Sequence, residues 1–238
     1  RPCTGRIRGG VIEAVVFDLD GVLVDSEHVW DEVRETLARE RGGRWHERAQ
    51  VDMMGMSSIE WSRYMHDVLG LSDSPEEINA QVVRRMEARY SEHLPLIEGA
   101  VDAVRRLAPT FRLGLASSSN RPLIDAVLFA AGLASLFEVS VSSEEVLRGK
   151  PAPDVFLETA RRLGVAPAQC AAIEDSRNGL RAAHAAGMRV IAIPNRRYPP
   201  PLDALAVADV TLESLAGLTQ ATVSPGTTSP GTTSPGTM

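Results

Sequence analysis

The stretch Val15-Val16-Phe17-Asp18-Leu19-Asp20-Gly21-Val22-Leu23-Val24-Asp25-Ser26-Glu27 carries the reading of this chain. A short apolar run ends in two aspartates one residue apart, and an apolar run resumes after Gly21. Carboxylates at the end of a buried strand are costly unless a cation, hydrogen bonds or chemistry compensates them. Alternation along an extended backbone puts Asp18 and Asp20 on one side and Leu19 on the other. Two such carboxylates can share a metal ion, or divide into a nucleophile and an acid/base.

Around this stretch the chain alternates. β-rich apolar runs lie at 11–17, 111–116, 137–141, 170–173 and 189–193, with a weaker one at 209–212. Helical patterns at 100–107, 122–131, 153–163 and 176–186 separate most of them, with Gly132 and Gly187 as stops and Ser176 as a cap. This order predicts an α/β fold, a Rossmann-like parallel sheet with helices on both faces. Ligands of such sheets bind at the carboxyl ends of the strands. Residues 25–94 break the alternation, because only amphipathic helical patterns occur there, at 30–41, 58–69 and 75–93. They predict an all-α cap inserted after the first strand, with hinges near 22–26 and 94–99. The catalytic core is then 11–24 with 95–219.

The ends read differently. Residues 1–10 are a basic tail without the long apolar segment of a signal peptide, and the chain begins with Arg1 rather than Met, as a trimmed sequence or fragment would. Residues 220–238 include repeats of Ser-Pro-Gly-Thr-Thr and predict a disordered low-complexity tail. Of the 238 residues 44% are hydrophobic and 24% charged, the balance of a globular protein with a substantial core. A net charge of −6 argues against a general nucleic-acid binder. No apolar run reaches the roughly 18 residues that span a bilayer. Cys3 and Cys170 make no disulfide framework, and Cys170 reads as a buried reduced thiol. A cytoplasmic monomer or homodimer is the expectation.

Other chemistry-bearing residues also follow strands. Ser117-Ser118-Ser119-Asn120 supplies hydroxyls, Gly149-Lys150-Pro151 supplies a cation, and Glu174-Asp175-Ser176 supplies more carboxylates. The parallel sheet gathers them at one edge. The set suits a phosphoryl group: a carboxylate nucleophile, an oxygen-ligated Mg²⁺, a lysine point charge and hydroxyl donors. Each residue also has an ordinary reading. Ser117 would be a loop serine, Lys150 a solvated charge, and Glu174-Asp175 a helix cap. Asp25 and Glu27 read as hinge or surface residues, and His28 as structural or exposed. The aromatic and methionine residues of 51–64 read as cap packing.

Together the motifs Asp18-Leu19-Asp20-Gly21, Ser117, Lys150 and Ile173-Glu174-Asp175-Ser176 resemble the haloacid dehalogenase superfamily over roughly residues 11–218. The resemblance implies that Asp18 is the nucleophile and a metal ligand. It implies that Asp20 protonates the leaving oxygen, then activates water, and faces the metal through its carbonyl. Ser117, Ser118 and Lys150 hold the phosphate, and Asp175 with Glu174 completes a Mg²⁺ site. Dehalogenating members typically lack the second aspartate, so Asp20 points to phosphoryl transfer on a small phosphorylated metabolite. The inserted cap resembles the β-phosphoglucomutase-like branch. Mutases of that branch carry Gly-Val-Ser-Arg in the cap, preceded by lysine; here Met54-Gly55-Met56-Ser57-Ser58 stands there, with Gly55, Ser57 and Ser58 as candidate substrate contacts. Neutral residues at both cationic positions favour a phosphatase, closest to sugar-phosphate phosphatases such as 2-deoxyglucose-6-phosphatase. The alternatives are a sugar phosphomutase and a phosphate-binding regulatory module without turnover.

Overall fold

The computed structural model describes residues 11–54 and 56–225. The expected tail over 1–10, with Cys3, lies outside the described residues, as do Gly55 and residues 226–238. Six strands form one sheet: β1 (Ala14–Phe17), β2 (Arg112–Ser117), β3 (Val139–Ser142), β4 (Cys170–Glu174), β5 (Arg189–Ala192) and β6 (Val210–Thr211). Their order is β3-β2-β1-β4-β5-β6 and every pairing is parallel. The chain leaves β1 toward β2 on one side and later returns to β4 on the other. Phe17 accordingly sits opposite both Leu115 and Ile173. The strand order reverses at β1, and such a switch point opens a crevice beyond the strand ends. Asp18 is the first residue in it.

Alternation divides the sheet into two apolar faces. Val15, Phe17, Leu113, Leu115, Ala171 and Ile173 join one core with helices α5 (Ala100–Leu107) and α6 (Arg121–Ala130). Ala14, Val16, Ala116, Cys170 and Ala172 join the other with α7 (Asp154–Leu163), α8 (Arg177–Ala185) and the short α9 (Leu202–Leu205). The expected Rossmann-like fold with helices on both faces is present. Val11 is exposed, so the first apolar run overshoots its strand. Cys170 is buried, and burial pushes its thiol up to about 11.

Between β1 and α5 lie only helices among the described residues: α1 (Glu27–Glu40), α2 (Ala49–Met53), α3 (Ser58–Asp67) and α4 (Pro75–Glu92). Two start on capping boxes, Ser57 with Glu60 and Ser74 with Glu77, and α4 adds Pro75 in its first turn. Helix α1 begins at Glu27, before the expected residue 30. Ser26 precedes it without capping it, because the Ser26 hydroxyl donates to Asp20 instead. The five-residue α2 is too short to show a helical period, and the sequence reading did not contain it. The segments that enter and leave this helical unit bond to each other, Asp25 N–H to Pro95 O at 2.8 Å and Ile97 N–H to Leu23 O at 3.0 Å.

The packed region also runs past 219, where the low-complexity tail was expected to start. Helix α10 (Gln220–Val223) carries a Thr219–Thr222 capping box and buries Val223. No described helix is long and apolar enough to cross a membrane.

Candidate active site

Strand β1 delivers Asp18 to the switch point, and two neighbouring segments surround it with charge. Lys150 Nζ donates to Asp18 Oδ1 at 2.8 Å, to Glu174 Oε1 at 2.6 Å and to the Ala116 carbonyl at 3.1 Å. It also lies 5.0 Å from the centroid of the Phe156 ring. All three charged side chains are buried. Burial pulls the Lys150 ammonium down, but Asp18 and Glu174 more than offset this and raise it overall. Burial and then the Glu174 carboxylate push Asp18 up to about 8, against the pull of Lys150. Asp175 is raised well above the usual range by burial, then by Glu174 and Asp18.

Glu174 serves three residues. One oxygen meets Lys150, while Oε2 accepts from the N–H groups of Asp175 and Ser176 and from Ser176 Oγ. This ties the end of β4 to the start of α8. Asp175 sits beside Gly21, where a Cβ would lie 1.9 Å from Asp175 Oδ2 and where φ is +83°. Only glycine fits that turn, by space and by conformation.

Asp20 has a different surrounding. Its Oδ1 accepts from Ser26 Oγ at 2.5 Å and Trp30 Nε1 at 3.1 Å, and its Oδ2 from Ser119 Oγ at 2.6 Å. Donors from α1, from the segment before it and from the turn after β2 thus hold both oxygens. Asp18 meets a lysine and Asp20 meets neutral donors, an asymmetry that suits a nucleophile and a proton carrier.

The carboxylate set fits a divalent cation. Oxygens of Asp18, Glu174 and Asp175 lie within 4.8 Å of one another, and all three residues are buried. Lys150 bonds two of the three, Asp18 and Glu174, and Asp175 Oδ1 is buried without a hydrogen-bond partner. Buried carboxylate oxygen left unpaired is expensive, and a hard cation with oxygen ligands relieves it.

Comparison with known proteins agrees with this geometry. Residues 12–187 match the family model described as haloacid dehalogenase-like hydrolase. The chain belongs to the haloacid dehalogenase-like hydrolase family. Hexitol phosphatase B of Escherichia coli (strain K12) is 34% identical over 229 residues, covering 87% of this chain and 95% of that protein. A fructose-1-phosphate phosphatase of the same strain is 31% identical over 183 residues, covering 74% of this chain and 94% of its own length. CbbY from Rhodobacter sphaeroides, solved in complex with xylulose 1,5-bisphosphate, superposes with a TM-score of 0.76 at 27% identity. That match covers 87% of this chain and 96% of the other.

Within this haloacid dehalogenase-like fold the expected residues fall into place unevenly. Asp18, Asp20, Lys150 and Asp175 line one cleft, and Ser118 lines it with Ser119. Ser118 Oγ is buried there without a partner. Ser117 does not line the cleft; it is fully buried and its Oγ accepts from Ser119 N–H. Glu174 stands behind Lys150 rather than on the cleft wall.

The cap residues depart further from expectation. Ser57 is the N-cap of α3, and Ser58 donates to Glu144, which also accepts from Asn120 and the Arg121 N–H. The cap wall is instead made by Glu27, Trp30, Arg34, Trp61 and the methionines 53, 54 and 56. Glu27, expected at the hinge or surface, points inward, accepts from Gln50 Nε2 at 2.9 Å, and is pushed by burial and by Asp20 up to about 7. The sequence contained a partial signal for Trp30. It lies four residues after Ser26, so a helix starting there puts both on one face. Arg34 continues that spacing. Ser119 carried no signal beyond its place in a serine run.

Proposed function

We propose that the chain is a phosphoric monoester hydrolase that cleaves small phosphorylated metabolites, sugar or polyol phosphates, through an aspartyl-phosphate intermediate. The observation that carries this is the contrast in surroundings between Asp18, paired with Lys150, and Asp20, held by three neutral donors. Asp18 attacks phosphorus and the bond to the leaving oxygen breaks. Asp20 gives its proton to that oxygen. Asp20 then removes a proton from water, which attacks the aspartyl phosphate and returns the Asp18 carboxylate with inorganic phosphate. Lys150 keeps its charge because Asp18 and Glu174 more than offset its burial, and it offsets the phosphate oxygens. Ser118, with its unpartnered hydroxyl, donates to them. Asp18 and Asp175, with Glu174 beside them, would hold Mg²⁺, which when bound supplies the charge neutralisation that lets a phosphate dianion approach a carboxylate.

The names of the hexitol and fructose-1-phosphate phosphatases support the substrate class. Met54 and Ser58, neutral where the mutases carry cations, support hydrolysis over transfer. The test is phosphate release from a panel of phosphorylated metabolites, with and without Mg²⁺. Activity is expected only with Mg²⁺ and only with Asp18 intact. Release that survives Asp18→Asn overturns the reading.

A further inference from the structure

The cap wall holds a cation that the proposed chemistry does not use. Arg34, from α1, is 5% exposed and lines the same cleft as Asp18 and Asp20. Its guanidinium carbon lies 4.5 Å from the Trp30 ring centroid and 4.7 Å from that of Trp61. Among the described residues its one hydrogen bond to a side chain is a long one, Nη1 to Gln50 Oε1 at 3.5 Å, and its Nε is buried without a partner. Among the described residues no carboxylate forms an ion pair with it. Glu27, the nearest in effect, gives one oxygen, Oε2, to Gln50, and the Asp20 oxygens are taken by Ser26, Trp30 and Ser119. Asp31 is the other acid that acts on it.

A buried cation without an ion pair is unfavourable, and indole faces compensate it only in part. Rings over a guanidinium leave its edge as the place to bond, and that edge is a planar fork suited to a carboxylate or phosphate. An occupant whose phosphoryl group meets Asp18 extends from the core wall toward the cap wall. We propose that Arg34, framed by Trp30 and Trp61, recognises a second oxyanion, a carboxylate or phosphate, at the far end of the substrate. The inference rests on the phosphatase reading of the cleft and narrows its substrate class to phosphorylated compounds with two anionic ends.

Matched ligands test it without turnover. Affinities are measured by calorimetry on Asp18→Asn protein with Mg²⁺, for 6-phosphogluconate against glucitol 6-phosphate and for fructose 1,6-bisphosphate against fructose 6-phosphate. Each pair differs in the oxyanion at the far end. A charge-assisted hydrogen bond predicts a preference of about tenfold or more for the dianionic-ended member of at least one pair. The pair that shows it tells carboxylate from phosphate. Arg34→Met, which keeps an unbranched apolar stem between the indoles, should bring that ratio to about one. Arg34→Lys, which keeps the charge and loses the fork, should leave a reduced preference and serves if the methionine variant does not fold. Equal binding in both pairs, or a preference that survives both substitutions, overturns the inference. Failure of the phosphatase reading would show separately, as absence of phosphate release from the unsubstituted protein.

Discussion

Replacing Lys150 by methionine tests the energetics of the site. Methionine keeps an unbranched chain against Phe156 but removes the ammonium that bonds Asp18, Glu174 and the Ala116 carbonyl. Asp18 and Glu174 are then left buried without their cation. Removing one partner of a buried ion pair costs about 3–5 kcal/mol. For a chain of this size each kcal/mol moves Tm by about 2–4 °C, so a loss of about 6–20 °C is expected without metal. The loss should depend on pH. The folded-state value of Asp18 is raised from 3.8 to about 8, so its stabilising share is present in acid and is lost as pH climbs from about 4 to about 8. Protons can replace the missing ammonium at low pH and cannot at high pH. Thermal unfolding followed by circular dichroism in EDTA should therefore show the widest gap between variant and unsubstituted protein above about pH 8 and a narrower one near pH 5. A gap below about 2 °C at the alkaline end, or one that widens in acid, would refute the reasoning.

The same carboxylates make metal binding pH-linked: Asp18 and Asp175 must lose protons to act as ligands, so the rise in Tm on adding Mg²⁺ should grow up to about pH 8, where Asp18 titrates. A thermal-shift series with and without Mg²⁺ checks this, and a gain that falls with rising pH contradicts it. Gly179→Ala would place a Cβ 1.8 Å from Glu174 Oε1. Overpacking of this kind costs about 1–3 kcal/mol, readable as a lower urea midpoint, and an unchanged midpoint would show that Glu174 has room to move.

The first strand motif was legible because its signals are local. Asp18, Asp20 and Gly21 stand together in sequence, and alternation alone puts the two carboxylates on one side. The six strands were legible because each is a short β-rich run between helical patterns. The cap wall was not. Glu27, Trp30 and Arg34 lie on a helix whose start was displaced by three residues, since the Ser26 hydroxyl bonds Asp20 rather than capping it. The roles of Ser57 and Ser58 were hidden for a similar reason, because a serine before a helix caps it or reaches a partner such as Glu144 that is 86 residues away.

The sequence by itself determined the family, the parallel sheet, the inserted helices and the residue types at each strand end, because period, punctuation and short motifs are properties of neighbouring residues. Only the tertiary structure decided which of those residues meet. Lys150 reaches Asp18 across 132 positions, and Arg34 is enclosed by Trp30 and Trp61 from two helices. Burial and partners separated by that much chain set the charge on each group. They raise Asp18 toward its protonated form, surround Asp20 with three neutral donors, and leave Arg34 a cation with an unpartnered Nε.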